Sequence, residues 1–132
     1  MTNHSPSQRV LLADRDADVR RALTLLLQTS LGLDVVAEAP DLIGISANGY
    51  DHTDLLLIDW VSVSIAEAGF IARLRSLNTR LKIIVLSTRP EDHRAAIASG
   101  ADAFISKVDP PEQVLQVVRS VLGEPSGRDG AA

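Results

Sequence analysis

Asp54-Leu55-Leu56-Leu57-Ile58-Asp59 is the stretch that decides the fold. Four apolar residues in an unbroken row, bounded by acids, describe a short strand buried on both faces, because a strand with one wet face would alternate apolar with polar. Asp59 then stands at the strand's carboxyl end. In an open parallel sheet the reactive crevice lies outside those ends, so a carboxylate there is placed for chemistry if neighbouring strands bring complementary groups to the same edge.

Similar short apolar runs lie on either side, separated by helical patterns, which is the order of a doubly wound α/β fold. Val10-Leu11-Leu12-Ala13 is a first strand closed by Asp14-Arg15-Asp16. Asp16 can cap a helix over 17–30 with Val19, Leu23, Leu26 and Leu27 on one face, ended by Gly32. Val35-Val36-Ala37 is a second strand, and Asp41 can cap a short helix holding Leu42, Ile43 and Ile45, weakened by Gly44, Asn48 and Gly49. Beyond Asp59, 60–64 reads as a connection and 65–77 as a helix turning Phe70, Ile71 and Leu74 inward. Lys82-Ile83-Ile84-Val85-Leu86 is a fourth strand ending at Ser87-Thr88. Pro90 opens a helix over 91–99 that stops at Gly100. Ala103-Phe104-Ile105 is the fifth strand, ending at Ser106-Lys107. Asp109-Pro110-Pro111-Glu112 reads as a capping box for a last helix with Val114, Leu115, Val117, Val118, Val121 and Leu122.

The chain has 132 residues and no cysteine, enough for one domain with its own core and without disulfides or zinc-thiolate sites. A net charge of -4 and 3% aromatics give neither the basic footprint nor the stacking platform of a nucleic-acid binder, so no direct nucleic-acid contact is expected. No apolar run approaches the roughly 20 residues of a membrane span. The first eight residues lack the basic and apolar regions of a signal peptide, so a cytoplasmic protein is expected. Residues 1–8 and 124–132 are polar and read as disordered tails around a folded unit over 9–123.

The strand ends carry Asp14 with Arg15 and Asp16, then Asp59, then Ser87 and Thr88, then Lys107. Singly each has an ordinary reading: acids favoured at a helix N-terminus, a turn hydroxyl, a solvated lysine. Together they are what phosphoryl transfer needs. A carboxylate can attack phosphorus, a hydroxyl and an ammonium can bond the oxygens of the transferred group, and carboxylates can hold magnesium. His4, His52 and His93 are scattered and point to no metal site.

By these residues, 9–123 resembles the receiver domain of bacterial two-component response regulators. The resemblance implies five parallel strands in order 2-1-3-4-5, Asp59 as phosphoacceptor, Ser87 and Lys107 as its partners, and Asp14 with Asp59 as magnesium ligands. Phe104 matches the aromatic that changes rotamer with phosphorylation. It further implies a histidine kinase or phosphotransfer protein as donor, a second copy or another protein as output partner, and no enzyme activity in the usual sense.

Departures from the pattern are equally specific. Arg15 stands where the family has a second metal-binding acid, with Asp16 one position late. Ser62-Val63 and Glu67 replace the usual Met-Pro and Gly, and Lys107-Val108 replaces Lys-Pro, which makes a cis bond improbable there. At about 4 Å a guanidinium and a carboxylate attract by roughly 4 kcal/mol at an effective dielectric of about 20, before desolvation is subtracted. Turned inward, Arg15 would pair with Asp59 and weaken magnesium binding. The alternative function is therefore a degenerate receiver, acting as a phosphorylation-independent interaction module with Arg15 holding the site in one state. A flavin carrier of the same topology would need a hydroxyl- and glycine-rich loop where this chain has Asp14-Arg15-Asp16.

Overall fold

Leu55, Leu56, Leu57 and Ile58 are wholly buried, as an unbroken apolar run in a central strand requires. The computed structural model describes residues 8–41, 52–65 and 69–123. The expected tails, apart from Gln8, and the expected helix with Leu42, Ile43 and Ile45 lie outside the described residues. In chain order the elements are β1 (Arg9–Ala13), α1 (Ala17–Leu31), β2 (Asp34–Ala39), β3 (Leu55–Asp59), α2 (Trp60–Ile65), α3 (Phe70–Leu77) and β4 (Lys82–Ser87). A short 3-10 turn (Pro90–Asp92) leads into α4 (His93–Ala98), followed by β5 (Ala103–Ser106) and α5 (Pro111–Leu122). The five strands form one sheet in the order β2-β1-β3-β4-β5, all neighbours parallel, as expected.

Alternation along the strands sends side chains to two separate cores. Leu11, Leu56, Ile58, Ile83 and Val85 pack with Val63, Ile71, Leu74 and Ala96 from α2, α3 and α4. Val10, Leu12, Leu55, Leu57, Ile84, Leu86 and Ile105 pack with Leu23 and Leu27 of α1 and Val114 and Val118 of α5. Each fully buried aliphatic side chain contributes about 1.5–3 kcal/mol of burial free energy, so both faces are needed to hold the sheet.

Register brings the strand ends level. Ala13 lies opposite Ile58, Asp59 opposite Leu86, and Ser87 opposite Ser106. One residue beyond these pairs stand Asp14 and Lys107, and the Lys107 N–H extends the β4–β5 ladder by donating to the Ser87 carbonyl at 2.7 Å.

Three local expectations are corrected. The segment after Asp59, read as a connection, is helical from Trp60, because Asp59 Oδ1 accepts the Val61 N–H at 3.3 Å and so begins the turn. The helix expected over 65–77 is instead α3, beginning at Phe70. The capping box before α5 is also absent: Asp109 Oδ2 accepts the Ser106 N–H at 3.0 Å, and Pro110 is the N-cap residue without a side-chain bond. Prolines at 110 and 111 remove two amides that would otherwise need a cap.

The turn between α4 and β5 depends on Gly100, which has φ +110°. A Cβ there would also stand 3.2 Å from Cγ2 of the buried Ile71. Gly100→Ala is expected to cost about 1–3 kcal/mol. A urea midpoint lowered at unchanged slope would show it, and an unchanged midpoint would count against this backbone.

Candidate functional site

Asp59 ends β3 with its carboxylate nearly closed to solvent, at 3% exposure. Asp14, directly after β1, is fully buried. Lys107 reaches both: its Nζ lies 2.6 Å from Asp14 Oδ2 and 3.5 Å from Asp59 Oδ1. The first contact is an ion pair by distance only, since Asp14 Oδ2 has no hydrogen-bond partner among the described residues. Asp14 Oδ1 accepts the Asp16 N–H at 2.9 Å, which fixes the loop that carries Arg15.

Arg15 turns toward the acceptor. Its Nε lies 3.6 Å from Asp59 Oδ2, although the side chain is 65% exposed. Asp59 therefore has one cation on each oxygen. Asp16 does not join them, because its Oδ1 accepts the N–H groups of Asp18 and Val19 as the N-cap of α1.

Ser87, Trp60, Arg89 and Asp92 complete a cleft of about 310 Å³ over Asp59 and Lys107. The Ser87 hydroxyl donates to Asp92 Oδ2 at 2.7 Å and accepts the Arg89 N–H at 3.0 Å. Its one proton is thus engaged, and bonding an added anion requires it to leave Asp92. Asp92 and Arg89 were not singled out by the sequence as site groups; no local pattern marks an acid five residues past a hydroxyl. Phe104 is not part of this cleft. It lies half-buried against the α2–α4 core, its ring stacked on His93 with centroids 5.0 Å apart and planes 13° apart.

The residues present fit a divalent cation poorly. Magnesium is held by one or two carboxylates with water and phosphate oxygens. The unbonded Asp14 Oδ2 is the right kind of atom, but Lys107 already stands against it, and Arg15 stands against Asp59 Oδ2. Two carboxylates and two cations cancel, and no group of three or more potential metal ligands gathers among the described residues.

Comparison with known proteins bears on the fold. The nitrate/nitrite response regulator NarP of Escherichia coli is 32% identical over 126 residues, covering 91% of this chain and 57% of NarP. The receiver domain of the response regulator NarL of Mycobacterium tuberculosis superposes with a TM-score of 0.73 at 22% identity, covering 90% of this chain and 99% of that one. The fold is that of response-regulator receiver domains. No family model matches the chain. The chain also superposes on a chain of the CheX–CheY complex of Borrelia burgdorferi, solved with beryllofluoride and magnesium, with a TM-score of 0.70 at 23% identity over 86% of this chain and 88% of that one. It spans about half the length of the curated relatives it matches, such as NarP. No described helix is long and apolar enough to cross a membrane.

Proposed function

We propose that this receiver accepts a phosphoryl group on Asp59 from a phosphohistidine of a histidine kinase or phosphotransfer protein, and answers by changing its protein–protein contacts. A carboxylate oxygen attacks phosphorus as the P–N bond breaks; its electron pair leaves on the imidazole, which takes up a proton. The convergence of Asp59 and Lys107 in one cleft with Ser87, from three strand ends, carries this reading. Lys107 stabilises charge on the transferred group, and Ser87 can follow by releasing Asp92. The added group brings about -1.5 to -2 charges, enough to redraw hydrogen bonds around β4, β5 and α4, where Phe104 packs. The output partner is a second copy or another protein, in the cytoplasm, without direct nucleic-acid contact by this domain.

One observation favours the phosphorylation-independent reading: Arg15 already lies beside Asp59. Incubation with acetyl phosphate, followed by intact-mass measurement, separates the two. A gain of one phosphoryl group that disappears in Asp59→Asn is expected. No gain in mass, with or without magnesium, would leave the chain as an ion-paired interaction module.

A further inference from the structure

We infer that Arg15 takes the part of a divalent cation at Asp59, making with Lys107 a two-cation clamp that binds a tetrahedral phosphoryl-type anion in the absence of metal. The inference rests on the reading of Asp59 as the acceptor, and deepens it. Its geometric basis is the even division of the carboxylate: Oδ1 lies 3.5 Å from Lys107 Nζ and Oδ2 lies 3.6 Å from Arg15 Nε. A group joined to either oxygen arrives beside a cation that belongs to the chain.

Both cations are carried on held backbone. Asp14 N–H is bonded to the Ala39 carbonyl and Asp16 N–H to Asp14 Oδ1, which fixes the chain on either side of Arg15. The Lys107 N–H is bonded to the Ser87 carbonyl. The Arg15 head is largely exposed and free to follow a growing anion, and a guanidinium presents paired N–H groups that match two phosphoryl oxygens. Arg89 lines the same cleft but pairs with Glu91 at 3.2 Å, so it is not counted in the clamp.

Charge points the same way. Asp14 and Asp59 are balanced by Lys107 and Arg15, so an arriving dianion meets a neutral site. An all-acidic cleft would repel that dianion and attract a divalent cation first; a neutral one does neither. The only further acid on the β1–α1 loop, Asp16, is committed to the α1 cap and offers no replacement ligand.

Trp60, half-buried in the cleft beside Asp59, reports binding directly. The test is titration of the whole chain with beryllofluoride, prepared from beryllium chloride and sodium fluoride, in EDTA and in magnesium, followed by Trp60 fluorescence and by fluorine NMR of the bound species. The expected result is a saturable response in EDTA with a midpoint close to that in magnesium. Arg15→Ala should weaken the EDTA response on the order of tenfold or more, as loss of a charge-assisted hydrogen bond does. Arg15→Asp should respond only with magnesium. A wild-type response that appears only with magnesium would overturn the clamp and leave Asp59 standing as an acceptor. An EDTA response undiminished in Arg15→Ala would also overturn it. No response under either condition would overturn the clamp and the acceptor reading together.

Discussion

Lys107→Met is expected to lower the unfolding free energy by about 3 kcal/mol, and possession of the buried Asp14 is the reason. Lys107 is the only cation in contact with that fully buried carboxylate among the described residues, and it also faces Asp59. Removing one member of a buried ion pair leaves an uncompensated charge, which costs about 3–5 kcal/mol. The lower end applies because the cleft above Asp59 admits water and Arg15 still faces its second oxygen. Asp14→Asn in the same chain should restore most of the loss, since the penalty belongs to the unpaired charge rather than to the lysine stem. This non-additivity is the measurable mark of a shared network. Urea unfolding of the two single variants and the double variant gives the comparison. A loss under about 0.5 kcal/mol for Lys107→Met would mean that Asp14 is hydrated.

The strands were legible because burial on both faces leaves a plain trace: Leu55 to Ile58 and Ile83 to Leu86 admit no polar residue. The α1 cap was legible for the same kind of reason, since Asp16 has the residue type and position that satisfy two amides at once. What could not be read were contacts fixed by long-range geometry. Trp60-Val61-Ser62-Val63-Ser64 contains β-branched and hydroxyl residues of modest helix propensity, so the local sequence argues against the helix that the Asp59 carboxylate initiates. Asp109 had the pattern of a capping box, yet the turn behind it claims its side chain first. Arg15 was visible as an anomaly, but its direction depends on how β1 and β3 are registered, which no nearest-neighbour pattern records. The Ser87–Asp92 bond and the His93–Phe104 stack belong to the same class, for they follow from the fold of the 3-10 turn between β4 and α4.

Leu57→Ala is the second large effect, with an expected cost of about 3–5 kcal/mol, the range for a leucine truncated in a core that cannot close around the gap. Leu57 is wholly buried at the middle of β3 and faces the layer made with Leu23, Leu27, Val114 and Val118. Hydrogen-bonded strands on both sides, β1 and β4, prevent the backbone from moving in to fill the space. A domain of this size has about 5–15 kcal/mol to lose, so the variant sits near its unfolding threshold. Leu25→Ala, at a 63% exposed position of α1, should change stability by no more than about 0.5 kcal/mol and so serves as the exposed reference for the same truncation. The residue type is the same and the burial is opposite, so a difference of several kcal/mol, larger than strand and helix propensities supply, tests the layer itself. Leu57 also lies two residues from Asp59 on the same strand, but its side chain packs in the α1–α5 core and lines no part of the cleft. The folded fraction of Leu57→Ala should therefore keep the beryllofluoride midpoint of the parent chain. A cost below about 1 kcal/mol would show that α1 and α5 do not cover the sheet as a packed layer, and with that the level strand ends that assemble the site would lose their support.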